Sequence, residues 1–348
     1  MRLLVTLLLL ISSAWVSHAG ALPSLAATKR IVVASWNLEN LFDPYNDPAN
    51  PGAVDFTPTG IEQWTPERYA LKLSHLAEVI AAMQPDILCL AEIENRRVLA
   101  DLTRVLREER HFDLPVILHR EGGDHRGIDV AMLARWKPVA TNWIAPVSGQ
   151  RDILIARFVI GGRPLTVCAN HWKSWLGDTN DDVTIRSIEA RAMRREVEKR
   201  LSADARAAVI VAGDFNDNVE SMVLTNVAAF VPYQPRTNGV PVMLGVLYNL
   251  SGLLPPEQRG TFYYSLEKHW NSFDSICVSR GMLPKISRPA PWRVAAEAGA
   301  YGVFALPQQC DRKGHPISFH LAHAKDGDVY ITGYSDHLPV RVVLEPGP

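Results

Sequence analysis

Residues 209–218 read VIVAGDFNDN. Val209, Ile210, Val211 and Ala212 make a β-branched, apolar run, and Gly213, Asp214, Phe215, Asn216 and Asp217 follow at once. Such a run reads as a strand buried on both faces. It ends by presenting a carboxylate and an amide two positions apart. In an extended chain residues two apart share a side, and Gly213 relieves crowding between them. That pair suits a hydrated divalent cation, or an Asp base beside an Asn that holds a phosphate oxygen. It equally suits a plain strand-to-turn transition, because Asp, Asn and Gly are turn formers. The rest of the chain has to decide.

Seven further runs resemble the first: IVVASWNL (31–38), DILCLAEI (86–93), DVAMLAR (129–135), ILIARFVI (153–160), PLTVCANH (164–171), FDSICVS (273–279) and LPVRVVL (338–344). Helical periodicity marks two segments. After Thr65 as N-cap and Pro66 as first helical residue, Tyr69, Leu73, Leu76, Ile80 and Met83 recur at four- and three-residue steps. The second helix runs from about Val183 to Leu201. Ile185, Ile188, Ala192 and Val197 mark its inner face, and an arginine set (Arg186, Arg191, Arg194, Arg195, Arg200) reads as its solvated side. Asp43–Gly60, 217–260 and 281–335 read as irregular from their Pro, Gly, Asn and Asp content.

The chain has 348 residues, 47% hydrophobic, with 36 Lys plus Arg against 37 Asp plus Glu. No global basic field advertises a polyanion partner, although local patches remain open to one. Met1-Arg2, an apolar run from Leu3 to Ile11 and small residues up to Ala19 read as a secretory signal peptide over residues 1–19. The expectation is an exported protein, secreted or periplasmic, with no stable membrane association and one catalytic domain over residues 20–348. Cys89, Cys168 and Cys277 lie inside apolar runs, where a buried thiol is expected. Cys310 lies in a loop-like region, and spacing alone chooses no disulfide partner for it.

Polar residues gather where the strands stop. SWNLEN places Asn37 at the end of the first strand, and LAEIEN places Glu92 at the end of the second. A carboxylate finishing an apolar strand is costly unless it is solvated or bound to a cation. CANHWKSW ends a strand with His171, and Lys173 follows two positions on; YSDHLPV sets Asp336-His337 before the last strand. In WNSFDSICVS, Asp274 enters a strand, where a carboxylate suits orienting an imidazole by accepting its Nδ1 proton. Any one of these reads as an ordinary surface residue. Together they supply oxygens for a metal (Asn37, Glu92, Asp214, Asp336), two imidazoles (His171, His337) and an orienting carboxylate (Asp274). That inventory is what metal-assisted hydrolysis of a phosphate ester needs.

SWNLEN, LAEIEN, NHWKS, AGDFND, FDSICVS and SDHLPV, in this order from Ile31 to Leu344, resemble the signatures of the endonuclease/exonuclease/phosphatase superfamily. Its members include deoxyribonucleases, apurinic endonucleases, inositol polyphosphate phosphatases and bacterial sphingomyelinases. RGIDVAMLAR (126–135) and GTFYY resemble its secreted bacterial nuclease-like branch. The resemblance implies an α/β fold, a four-layer sandwich of two packed β-sheets flanked by helices, with the site on loops at one end. It implies Glu92 as principal Mg²⁺ ligand (Mn²⁺ as a substitute), with Asn37 and Asp336 nearby. Asp214 becomes a metal ligand or proton acceptor, and Asn216 orients the phosphate. Asp274 pairs with His337, which activates water or stabilises the transition state, while His171 binds the phosphate or protonates the leaving group. Arg126 and Lys173 become phosphate contacts. The expected activity is that of a Mg²⁺-dependent phosphodiesterase, a nuclease acting on DNA or RNA; the alternative is a phosphomonoesterase or phospholipase for inositol phosphates or sphingomyelin.

Two side readings remain. His315, His320 and His323 in HPISFHLAH raise zinc, although their spacing matches no standard short motif. The Trp and Tyr residues around 263–270 suit stacking on bases, or packing at a rim. A non-enzymatic binding module is the third class of function, and it has no need for both histidines and Glu92.

Overall fold

The computed structural model describes residues 30–174, 180–235, 245–284, 286, 288–322 and 327–348. The expected signal peptide lies outside these residues. Among them, no helix is long and apolar enough to cross a membrane.

All eight expected strands form, and they sort into two seven-stranded sheets. The first runs in the order Trp292–Val294, Val340–Pro346, Ile31–Leu41, Ile87–Ile93, Asp129–Ala134, Val116–His119, with Tyr301–Val303 also paired to Val340–Pro346. The second runs Ala140–Ile144, Ile153–Ile160, Arg163–His171, Val209–Asp214, Asp274–Ser279, Leu247–Asn249, Phe230–Pro232. Strand alternation explains why these runs are apolar throughout. Ile31, Val33, Ile87, Cys89, Ile210, Ala212, Ile276 and Val278 point between the sheets into one core. Their neighbours Ala34, Trp36, Leu88 and Leu90 point outward under two helices. On the other sheet Val209, Val211 and Cys277 point outward under a third.

Helix α1 (Pro66–Met83) starts as expected: the Thr65 side chain accepts the Arg68 N–H and Pro66 opens the helix. Helix α2 (Arg96–Arg110), which the periodicity reading passed over, packs beside it. Its apolar stripe of Val98, Leu99, Leu102, Val105 and Leu106 recurs at helical spacing, with arginines on the opposite face, so the signal is present in the sequence. Helix α3 (Asn180–Ala203) covers the second sheet. Its inner face is rotated from the expected one: Ile185 and Ile188 are half-buried, while Arg186 and Glu189 are buried. The arginine set is therefore not wholly solvated. Arg186 donates to the Lys173 and Ser174 carbonyls and stands 3.7 Å from Asp217. The layers are thus helices, sheet, sheet, helix.

The segments read as irregular contain short strands too, including Leu247–Asn249 and the hairpin Phe319–Ala322/Val329–Thr332, and a further hairpin, Phe262–Tyr264/His269–Asn271, lies between them. Three to four residues are too few to impose a visible period. All four cysteines are free, Cys89, Cys168 and Cys277 buried and Cys310 partly so.

Two parallel pairs set the position of everything polar. Ile31–Leu41 runs parallel to Ile87–Ile93 with α1 as crossover, and Arg163–His171 runs parallel to Val209–Asp214 with α3 as crossover. Each crossover returns the chain so that both strands of the pair finish at the same end. Helix α2 depends on a single cap, since the Asn95 side chain accepts both the Arg97 and Val98 N–H groups. Asn95→Ala is expected to lower stability by ~1 kcal/mol, read as a lower urea midpoint at unchanged slope; an unmoved midpoint would mean that the helix start is held by other contacts.

Candidate active site

Asp214 ends its strand, and Gly213 before it explains the local geometry. At φ 152° its backbone passes so close to Asn170 that a Cβ would strike the Asn170 carbonyl. The expected extended Asp214–Asn216 segment is not found. Asn216 has φ 49°, so the chain turns there. Its N–H donates to Asp214 Oδ1 at 2.8 Å, and its side chain donates to the Trp172 carbonyl at 3.0 Å. The two residues are neighbours through a turn, not through strand alternation.

Glu92 owes its position to a second irregularity. The pairing of its strand with Asp129–Ala134 shifts register between Leu90 and Ile93, and Glu92 adopts φ 62°. Such a bulge re-aims a side chain that would otherwise follow the sheet. One carboxylate oxygen accepts the Asn40 N–H at 2.8 Å. The other faces His171 Nε2 at 3.9 Å and Arg126 at 3.8 Å. Glu39 and Asn40 also have positive φ, 54° and 53°. Left-handed non-glycine residues cost on the order of 1–3 kcal/mol each and persist where the surroundings over-determine them.

The remaining residues converge from both sheets. His171 lies opposite Asp214 in the parallel register, and Asp274 lies opposite Asp214 on its other side. His337 Nδ1 meets Asp274 Oδ2 at 2.6 Å, both groups buried. His337 Nε2 and His171 Nε2 each stand 3.8 Å from Asp214 Oδ2. Asn37, from the first sheet, donates its amide to Asp214 Oδ2 at 3.0 Å. Its Oδ1 accepts the Glu39 N–H, so Asn37 works here as a holder of Asp214.

Charge divides the two imidazoles. Burial would lower the His337 pKa, but Asp274, Asp214 and Asp336 together raise it well above the usual histidine value. His171 goes the other way, lowered well below that value by burial and then by Arg151, Arg126 and His337. The carboxylates are strained in turn. Burial foremost, with Asp274 adding, pushes Asp214 up to about 6. Burial foremost, with Glu92 and Asp214 adding, pushes Asp336 up to about 6.

A divalent metal fits this donor set. Four carboxylates (Glu92, Asp214, Asp274, Asp336) crowd one crevice, and Asp274 Oδ1 is buried without a hydrogen bond. One ligand atom each from Asp214, Asp274 and His337 lies within 4.8 Å of the others. Asp274 and His337 were not expected as ligands; adjacency of three separate segments is needed to see that grouping.

Not every expected residue faces the crevice equally. Arg126 reaches it, its guanidinium bound to Asn40 Oδ1 at 2.6 Å and half-exposed. Lys173 turns away to Asp182 on α3 at 3.2 Å. Of the zinc trio, His315 stacks on Tyr263 and pairs with Asp311, His320 lies 3.9 Å from Glu39, and His323 lies outside the described residues. Neither of the first two joins a metal-like cluster among the described residues. Sequence reading missed the buried supports. Arg151 donates to the Trp172 carbonyl at 2.6 Å and to the His171 carbonyl at 3.3 Å, with Asp124 as its counter-ion at 2.9 Å. Lys72, fully buried, donates to the Tyr334 carbonyl at 2.8 Å and lies 3.8 Å from Glu39. Ser335 ties the two ends together by donating to the Asn37 carbonyl and accepting the His337 N–H. No motif announces these residues.

Over residues 32–346 the chain matches the family model described as Endonuclease/Exonuclease/phosphatase family. No curated protein sequence matches it significantly. Solved structures do. TDP2 from Caenorhabditis elegans is similar at TM-score 0.55 and 14% identity, over 92% of this chain and 75% of that one. D. rerio TDP2 complexed with a single-strand DNA product is similar at TM-score 0.53 and 16% identity, over 91% and 99%. An endonuclease/exonuclease/phosphatase family protein from Bacteroides thetaiotaomicron is similar at TM-score 0.52 and 16% identity, over 91% and 95%. Identities this low speak for the fold alone.

The charge pattern has a direct readout. In metal-free protein the His337 imidazole resonance is expected to titrate above the ordinary histidine range. Asp274→Asn removes a carboxylate that favours the imidazolium, so its midpoint moves to lower pH. An unchanged NMR titration curve would show that Asp274 does not set the charge of His337.

Proposed function

The chain belongs to the endonuclease/exonuclease/phosphatase family and is a metal-dependent phosphoesterase, and from that premise we propose that it is a Mg²⁺-dependent phosphodiesterase cleaving nucleic acid. The observation that carries the reading is the convergence of Asp214, His171, His337 and Asp274 around one buried carboxylate oxygen, with Glu92 across the crevice.

Glu92 and Asp336 are the carboxylates suited to hold a hard dication, which leaves Asp214 free for proton transfer. When bound, the ion neutralises phosphate charge and makes phosphorus more electrophilic. Around it, this chain's groups divide the proton work. Asp214, fixed by Asn37 and the Asn216 N–H, accepts a proton from the attacking water. The new bond forms from that water oxygen to phosphorus as the bond to the leaving oxygen breaks, and cationic His337, through Nε2, supplies the proton that the leaving oxygen takes up. Until that transfer His337, held by Asp274, donates the same N–H to the negative charge that builds on the leaving oxygen. His171, kept neutral, faces the same carboxylates and orients the phosphate. Environments that push two like groups in opposite directions mark distinct acid and base duties.

Three features favour a nucleic acid substrate. Phe262, beside His337 with ring centroids 5.0 Å apart, begins a hairpin that carries Tyr263 and the part-exposed Trp270, flat surfaces suited to bases. A cavity of 220 Å³ adjoins Asn216 and Phe273, lined by Asn218, Asn271 and His269 with both donors and acceptors. The third is the DNA product in the D. rerio relative, a property of that protein which agrees with this reading. Export is proposed on the sequence of residues 1–19 alone.

Chelation by EDTA should abolish hydrolysis, and Mg²⁺ or Mn²⁺ should restore it; activity that survives chelation would refute the metal assignment. Glu92→Ala and His337→Ala should each lower kcat by about 10²–10⁴-fold with the far-UV CD spectrum retained, and near-normal turnover would remove those roles. The substrate class is tested with plasmid DNA, single-stranded DNA, RNA, sphingomyelin and inositol phosphates, each with Mg²⁺. Cleavage of the polynucleotides supports the proposal, whereas hydrolysis of lipid or inositol phosphate alone overturns it.

A further inference from the structure

A second cluster of metal-ligating groups lies on the hairpin of Val116–His119 and Asp129–Ala134. There His119, Glu121 and Asp129 each bring one ligand atom within 4.8 Å of the other two. It shares no residue with the catalytic crevice, although Asp129 pairs with Ile93, the residue that follows Glu92. The cross-strand partners of His119 and Asp129 are Ala131 and Ile93, both part of the core beneath α1 and α2.

His119 supplies the telling detail. Its side chain is 2% exposed, and its Nε2 stands 3.2 Å from Asp129 Oδ2. The two groups form an ion pair whose geometry is poorly aligned for a hydrogen bond, so Nε2 is a buried nitrogen without a well-aligned hydrogen bond. A buried polar atom left so is costly. Two donors that share one ion at ~2.0–2.2 Å, in tetrahedral or octahedral arrangement, stand roughly 3.0–3.5 Å apart. The His119–Asp129 spacing has that value without hydrogen-bond alignment. Asp129 is also pre-oriented: Oδ1 accepts the Gly122 N–H at 2.9 Å, which leaves Oδ2 on the His119 side. Gly122 permits this approach, since a Cβ at that position would strike Asp129 Oδ1. Glu121, two-thirds exposed, pairs with the other ring nitrogen, Nδ1, at 3.7 Å, so a rotamer change across the ring edge is needed for it to serve as third ligand.

We infer that His119, Glu121 and Asp129 bind a borderline first-row dication, Zn²⁺ by chemical preference, as a structural site distinct from the catalytic one. One imidazole with two carboxylates favours Zn²⁺ over Mg²⁺, which selects all-oxygen sites. The ion fastens the base of the 120–128 loop. That loop carries Arg126, which reaches Asn40 and Glu92, and Asp124, which holds Arg151 behind His171.

The test uses the full chain, stripped of metal and then given Zn²⁺ alone. Anomalous scattering at the zinc edge from such crystals is expected to show a peak about 2.0–2.2 Å from His119 Nε2, whether or not a further peak occupies the catalytic crevice. In solution, His119→Ala should remove one bound Zn²⁺ per chain. Glu121→Gln, on an exposed residue that the fold does not need, should weaken the same site at least tenfold. Zinc density in the crevice alone, or equal Zn²⁺ affinity and stoichiometry in Glu121→Gln and the unaltered protein, would overturn the inference.

Discussion

The hydrogen bond from Asn37 to Asp214 joins the two sheets at their working end. Asn37 belongs to the central strand of one sheet and Asp214 to a central strand of the other. Below them the sheets meet mainly through apolar side chains, which fix distance but little direction, with the Tyr301–Ser251 hydroxyl pair and the Trp292 indole on the Arg163 carbonyl as polar links. The amide–carboxylate contact, buried at 3.0 Å, supplies the direction. Asp214 then becomes the point to which the other groups are referred, with His171 and His337 each 3.8 Å from its Oδ2 and Asp274 alongside in register.

Holding Asp214 in this way concentrates negative charge where water is scarce. The chain answers with two kinds of compensation. His337 is made cationic by the carboxylates around it, and Arg151 is sunk behind the site with carbonyls as acceptors, while burial pulls the Lys72 pKa down against the pull of Glu39 and Asp336. Positive charge of this kind offsets repulsion from beneath and leaves the mouth of the crevice to a cation and its phosphate. The left-handed residues Glu39, Asn40, Glu92 and Asn216 belong to the same economy. A regular strand would send Glu92 and Asn216 along the sheet's alternation; the bulge and the turn send them into the crevice.

Family membership places the chemistry in phosphoester hydrolysis, and two short hairpins rest against the sandwich that carries it. Phe262–Tyr264/His269–Asn271 is fastened to the crevice at His337 through a β-bridge at Phe262. Phe319–Ala322/Val329–Thr332 is fastened to the helix side, where Glu39 accepts the Phe319 N–H. Each short hairpin borrows its stability from the sandwich it rests on, since two strands alone bury too little.

Long strands and their polar ends were open to sequence reasoning because a strand buried on both faces has to be apolar, which makes a terminal Glu92, Asp214 or His171 conspicuous. Thr65-Pro66 announced α1 for a similarly local reason. Helix α2 was equally legible in the spacing of Val98, Leu99, Leu102, Val105 and Leu106 and was overlooked, whereas the three-residue strands escaped because they are shorter than any period. At the site, sequence named Asn37, Glu92, His171, Asp214, Asn216, Asp274, Asp336 and His337, yet it assumed an extended Asp214–Asn216 segment where the chain turns. It was silent on Arg151, Lys72 and Ser335. Their roles follow from burial and from carbonyls contributed by remote segments, which no local pattern encodes. What residue order settled was which chemical groups the chain owns; which of them share a proton, a charge or an ion was settled only when two sheets closed on each other and removed the water between them.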